Sequence, residues 1–197
     1  TLAVRPGEVM GLLGPNGAGK TTTIGMAVGL LHPDSGSVTL GESPGLVGTP
    51  ADPRIRTLVG VAPQEVALYD AMTARENLVL FGRLHGLSGS EARARAAELL
   101  QRVGLSDRAH HRVAGFSGGM KRRLNLASAL VAEPRLVLLD EPTAGVDPQS
   151  RHAIFEIIAQ LKAQGVTILF STHYMEEAAR LRDDVAIVDH GTLLALG

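Results

Sequence analysis

The sequence contains no cysteine and no tryptophan among its 197 residues. Without cysteine there can be no disulfide, no thiolate metal site and no Cys-ligated iron–sulfur cluster, and a reducing compartment such as the cytoplasm is the expected location. Charge of one sign is missing too: 19 Lys and Arg stand against 20 Asp and Glu, a net charge of -1. Nucleic-acid binding draws most of its affinity from a basic excess, so no nucleic-acid partner is expected. No stretch approaches the ~18 apolar residues of a membrane span. The opening Thr1 to Gly7 lacks the basic-then-apolar layout of a signal peptide. Any membrane role must run through a partner. Internal repeats and low-complexity tracts are absent, and so is an initiator Met; a fragment trimmed to its ordered middle, with N-terminal strands missing, is the expectation.

What is present is 45% apolar sequence, enough for one large domain or two small ones. Apolar runs of strand length recur at Val9–Leu13, Leu58–Ala62, Leu136–Leu139, Val166–Phe170 and Val185–Val188 without strict alternation. Strands buried on both faces read this way, which predicts an α/β fold with a mainly parallel sheet covered by helices. Ile154, Ile157, Ile158 and Leu161 mark one helix face, and Gly165 supplies its C-terminal stop. From about Thr73 to Pro134 the helix signals follow one another with no strand between them. Thr73 to Glu76 and Ser88 to Glu91 both spell capping boxes. The reading is a single domain over 1–197, its core at about 1–72 and 135–197 and a helical subdomain inserted at about 73–134. Gly41 to Pro53, rich in Gly and Pro, reads as a surface loop.

Gly14-Pro15-Asn16-Gly17-Ala18-Gly19-Lys20-Thr21 matches G-x-x-x-x-G-K-[ST] between a strand and a helix expected to start near Thr22. The glycines let successive backbone N–H groups turn inward and cradle phosphate oxygens at a helix N-terminus. Lys20 adds a cation for the β- and γ-phosphates, and Thr21 a hydroxyl for Mg²⁺. The run Arg135 to Glu141 is a buried strand ending in two carboxylates. Asp140 suits Mg²⁺, whereas Glu141, pointing another way, suits a water that attacks the γ-phosphate. Gln64 and His173 each lie just past a predicted strand, the edge where ligands bind in open parallel sheets. The phosphate loop, Gln64, Asp140, Glu141 and His173 should therefore meet in one crevice. Ser117-Gly118-Gly119 opens a helix running to about Ala132, with Ser117 as N-cap: either a second anion site or simply a capped turn.

Together, Gly14–Thr21, Gln64, Ser117 to Gly119, Leu136–Glu141, Gly145-Val146-Asp147 and His173 resemble, in order and over nearly the whole chain, the nucleotide-binding domain of ABC (ATP-binding cassette) ATPases. The resemblance implies a P-loop NTPase fold, ATP and Mg²⁺ as ligands, and two ATP molecules sandwiched in a head-to-tail homodimer. It implies that Gly14 to Thr22 hold the phosphates and that Thr21, Gln64 and Asp140 serve the metal. Glu141 becomes the general base, Lys20 a charge stabiliser, and His173 a contact to the γ-phosphate. Ser117, Gly118 and Gly119 would reach the ATP of the other subunit, and Asp147 would lie across the interface. The family stacks adenine on an aromatic residue upstream of the phosphate loop; this chain has none there, so that contact is expected outside it.

Glu76 to Leu78, Phe81 to Leu87 and Phe116 to Arg123 resemble the subfamily that powers bacterial export of drugs, natural products and polysaccharides. This implies a cytoplasmic subunit, peripheral on the inner face of the cell membrane, that drives a separate permease through the surface from Gln64 to Leu87. A soluble single-cassette ATPase of cluster assembly is the alternative. Lys121-Arg122-Arg123 reads equally as a solvated helix face or as part of the nucleotide interface. His110-His111 lacks metal-ligand spacing.

Overall fold

A computed structural model of the chain describes residues 1–41, 45–181 and 183–197. In chain order the elements are β1 (Val9–Leu13), α1 (Lys20–Ala27), β2 (Leu40–Gly41), β3 (Val47–Gly48), α2 (Pro53–Arg56), β4 (Val59–Ala62), α3 (Ala74–Leu84), α4 (Gly89–Arg102), α5 (Gly118–Ala129), β5 (Leu136–Asp140), α6 (Pro148–Ala163), β6 (Thr167–Thr172), α7 (Met175–Leu181), β7 (Asp184–Asp189) and β8 (Thr192–Leu196). Six strands form one sheet in the order β4-β5-β6-β1-β7-β8. All neighbours run parallel except the β7–β8 hairpin.

Alternation along each strand explains why the apolar runs are continuous. Val9, Val137, Leu139, Ile168 and Phe170 face one layer with α3 to α6, while Met10, Leu12, Leu138, Leu169, Ala186 and Val188 face the other with Ile24 of α1. Both faces are buried, so neither parity can be polar. The four apolar residues of α6 named above are buried in the first layer. Ile158→Ala leaves a cavity there and is expected to cost about 2–5 kcal/mol. The check is a lower urea midpoint with an unchanged slope.

Several boundaries differ from the sequence reading. The first helix starts at Lys20, not near Thr22, because Gly19 takes the N-cap place in a left-handed conformation, φ 97°. The helix after Ser117 stops at Ala129 rather than about Ala132, with Leu130 as its C-cap. β6 runs on through Ser171 and Thr172, since those residues still pair with Leu12 and Leu13 of β1. Of the expected surface loop, residues 42–44 lie outside the described residues; its flanks carry the short β2–β3 pair, and α2 begins at Pro53. Both capping boxes are formed in full, with each hydroxyl accepting the N3 amide and each glutamate accepting the N-cap amide.

Candidate active site

Parallel register places the site. Leu13 pairs with Thr172, Asp140 with Ser171, and Ala62 with Leu139. Four strands therefore end level, and the residues just beyond them, Gly14, Gln64, Glu141 and His173, emerge along one edge. Gly14 is required there: a Cβ on it would lie 2.2 Å from the Val188 carbonyl oxygen of the neighbouring strand. The loop then carries Pro15, Asn16 and Gly17 exposed and Ala18 buried, before Lys20 opens α1 with exposed Thr21 and Thr22 in its first turn. No side chain caps this helix and no acid sits in its first turn. Its N-terminal N–H groups and positive dipole end suit an anion.

The Glu141 carboxylate is the hub. Glu141 is buried and has φ 45°, a left-handed conformation that a residue with a side chain seldom adopts. That turn separates it from Asp140, which belongs to the strand. Its Oε1 lies 3.3 Å from Lys20 Nζ and 3.3 Å from His173 Nδ1, and Gln64 Nε2 donates to Oε2 at 3.5 Å. The His173 contact lacks the geometry of a hydrogen bond. Lys20 Nζ also donates to the carbonyls of Gly14 and Pro15, at 2.8 and 2.9 Å. Ser171 Oγ holds both acids: it accepts the Glu141 amide at 2.9 Å and donates to Asp140 Oδ1 at 2.5 Å.

Ser117, Gly118, Gly119 and Asp147 form a second cluster. Ser117 Oγ caps α5 by accepting the Met120 amide, and Asp147 caps α6 by accepting the Ser150 amide at 2.9 Å. The Ser150 amide, then the Ser150 hydroxyl, hold the Asp147 carboxyl below its usual range. Gly119 abuts this cap: a Cβ on it would fall 2.0 Å from Ser150 Oγ and 3.1 Å from Asp147 Oδ2. Among the described residues none of these four groups bonds to Lys20, Glu141 or His173. One chain thus presents a cluster around the Glu141 carboxylate and, with no bond to it, a capped Ser-Gly-Gly turn.

Residues 1–144 match the family model described as ABC transporter. The chain belongs to the ABC transporter family. It is 47% identical over 197 residues to the linearmycin resistance ATP-binding protein LnrL of Bacillus subtilis, covering 100% of this chain and 62% of the relative. It is 48% identical over 194 residues to the doxorubicin resistance ATP-binding protein DrrA of Mycobacterium tuberculosis, covering 98% of this chain and 58% of that protein. The chain thus spans about three-fifths of the length of these relatives. A dimeric ATP-binding cassette in a post-hydrolysis state, bound to ADP and Pi, superposes with a TM-score of 0.87 at 28% identity, over 100% of this chain and 87% of that one. The P-loop NTPase α/β fold expected from the sequence is the fold observed.

Sequence reasoning left Lys121 to Arg123 open between a solvated face and a site role. Here each side chain ties down a neighbouring segment of the cassette. Lys121 pairs with Asp70 at 2.8 Å, Arg122 donates to the Gln64 carbonyl, and Arg123 donates to the Val103 carbonyl at 2.8 Å. Burial pulls the Arg122 guanidinium below its ordinary range, opposed by Glu141 and then Asp140. Asn125, buried on α5, grips the same segment at two points, accepting from the Ala67 amide and donating to the Pro63 carbonyl. Helix α5 therefore carries the Ser-Gly-Gly turn at one end and steadies Gln64 along its side. No local signal marks Asn125 or Ser171, because their partners lie about 30 to 60 residues away in sequence.

Proposed function

We propose that this chain is the ATP-binding and ATP-hydrolysing part of an exporter, acting as a dimer around two ATP molecules to drive a separate membrane permease. The observation that carries the reading is the Glu141 carboxylate met by Lys20, Gln64 and His173 at level strand ends beside a glycine-rich loop. Glu141 is the general base for water, Lys20 and the loop from Gly14 to Thr22 hold the phosphates, and His173 steadies the γ-phosphate. Lys20 and His173 lie against one Glu141 oxygen and Gln64 donates to the other, which places Gln64 to orient the water. Asp140, the Thr21 hydroxyl and the Gln64 side chain are hard oxygen donors that fit Mg²⁺, and bound Mg²⁺ would neutralise charge on the β- and γ-phosphates.

Ser117, Gly118 and Gly119 complete the site of a second copy, and Asp147 beside them lies at the same interface. That Gly119 abuts Asp147 and that, among the described residues, none of these groups bonds to Lys20, Glu141 or His173 supports this. The body at about 1–72 and 135–197 binds nucleotide, and the helical part at about 73–134 carries the turn across. Drug and natural-product export is supported by the resistance proteins among the relatives. No helix of the described residues is long and apolar enough to cross a membrane. The exporter reading puts the protein on the cytoplasmic face, acting through a permease. The surface from Gln64 to Leu87, where Tyr69 and Leu84 stand exposed, is the contact for it. The test is purification of the full-length protein with and without ATP. It is expected to double in mass with ATP, to revert with ADP, and to be recovered from membranes with a polytopic partner. A monomer under all conditions, or recovery with soluble assembly proteins, overturns the reading.

A further inference from the structure

Glu177 of α7 is a buried carboxylate, 4% exposed, that no step above uses. Burying such a group is costly unless it is paired, so its partners show what it holds. Thr143 Oγ1 donates to its Oε1 at 2.8 Å, and Thr172 Oγ1 donates to its Oε2 at 2.6 Å. Thr143 follows Glu141 by two residues, and Thr172 immediately precedes His173. The Thr172 hydroxyl in turn accepts the Tyr174 amide at 3.1 Å, which fixes the backbone just past His173. One carboxylate thus spans the two loops that carry the proposed base and the proposed γ-phosphate contact.

A third arm reaches α6. Arg151 Nε lies 3.6 Å from Glu177 Oε1, and the guanidinium sits over the Tyr174 ring, 5.4 Å from its centroid. The Tyr174 ring packs against His173 with centroids 4.0 Å apart. Arg151 belongs to the first turn of the helix capped by Asp147, its amide bonding back to the Asp147 carbonyl. The contacts therefore close a ring, from Glu141 through His173, Tyr174, Arg151, Glu177 and Thr143 back to the Glu141 loop.

We propose that Glu177 is a positioning residue that sets His173 against Glu141, with Arg151 tying both loops to the helix behind Asp147. The inference rests on the hydrolytic reading of Glu141. In Glu177→Gln one oxygen becomes an amide nitrogen that cannot accept a hydroxyl proton, and the charge facing Arg151 is lost. The full-length protein with saturating Mg-ATP is expected to lose roughly tenfold in kcat, the scale on which supporting groups around a site act. ATP KM should change by less than about twofold, because no phosphate contact is removed. The imidazole ¹⁵N resonance of His173 should shift, since its distance from Glu141 is no longer held. Thr143→Val, which removes one arm and preserves shape, should do the same to a smaller extent and stands in if Glu177→Gln does not fold. Unchanged kcat, or a His173 resonance that stays in place, overturns the proposal whatever else moves. Glu141→Gln is run alongside: its inactivity with normal Glu177→Gln turnover refutes only the positioning role, whereas its full activity refutes the underlying reading.

Discussion

Glu141→Gln is expected to lower ATP turnover by about 10²–10⁴-fold, the usual cost of losing a general base, while ATP binding persists. The substitution keeps size and shape but removes the negative charge that Lys20 and His173 both face at 3.3 Å. An amide cannot take the proton of an attacking water, so chemistry stops after the nucleotide has been bound. The variant should accordingly accumulate as an ATP-loaded dimer, seen as a stable doubling of mass in size-exclusion chromatography. Phosphate release at the wild-type rate would remove Glu141 from the reaction.

Lys20→Ala should fail one step earlier. The Lys20 ammonium is buried, 5% exposed, with the Gly14 and Pro15 carbonyls and Glu141 as its partners. Its removal takes away the cation aimed at the β- and γ-phosphates and leaves the buried Glu141 carboxylate without its ion-pair partner. Hydrogen bonds to charged groups are strong enough that nucleotide affinity should fall at least roughly tenfold to a hundredfold. Titration with a fluorescent ATP analogue measures this directly. The two variants separate by type: one binds without turnover, the other scarcely binds. Normal affinity in Lys20→Ala would end the phosphate-loop assignment.

Local patterns carried much of the architecture. The five apolar runs all became strands of the main sheet, because a strand covered on both faces has no place for polar residues. The capping boxes were legible since donor and acceptor lie three residues apart. The β7–β8 hairpin was missed, although His190 and Gly191, with φ 45° and 73°, form the kind of two-residue turn that favours a hairpin. Its strand Thr192–Leu196 is largely exposed, although Leu193 to Leu196 is an apolar run as long as two of the five that marked the others. Helix α7 was missed too, being only seven residues long.

For the site, spacing alone determined which chemistry is available: a glycine loop with Lys20 and Thr21, two acids at a strand end, and polar residues just beyond two other strands. Those are near-neighbour relations, written into consecutive residues. Tertiary structure decided what they do to one another. Only the level strand ends bring Lys20, Gln64 and His173 onto one carboxylate, and only the packing of α5 and α6 sets Gly119 against Asp147. The reason is geometric: contacts between residues tens to more than a hundred positions apart depend on strand order and register, which no local pattern of residues encodes.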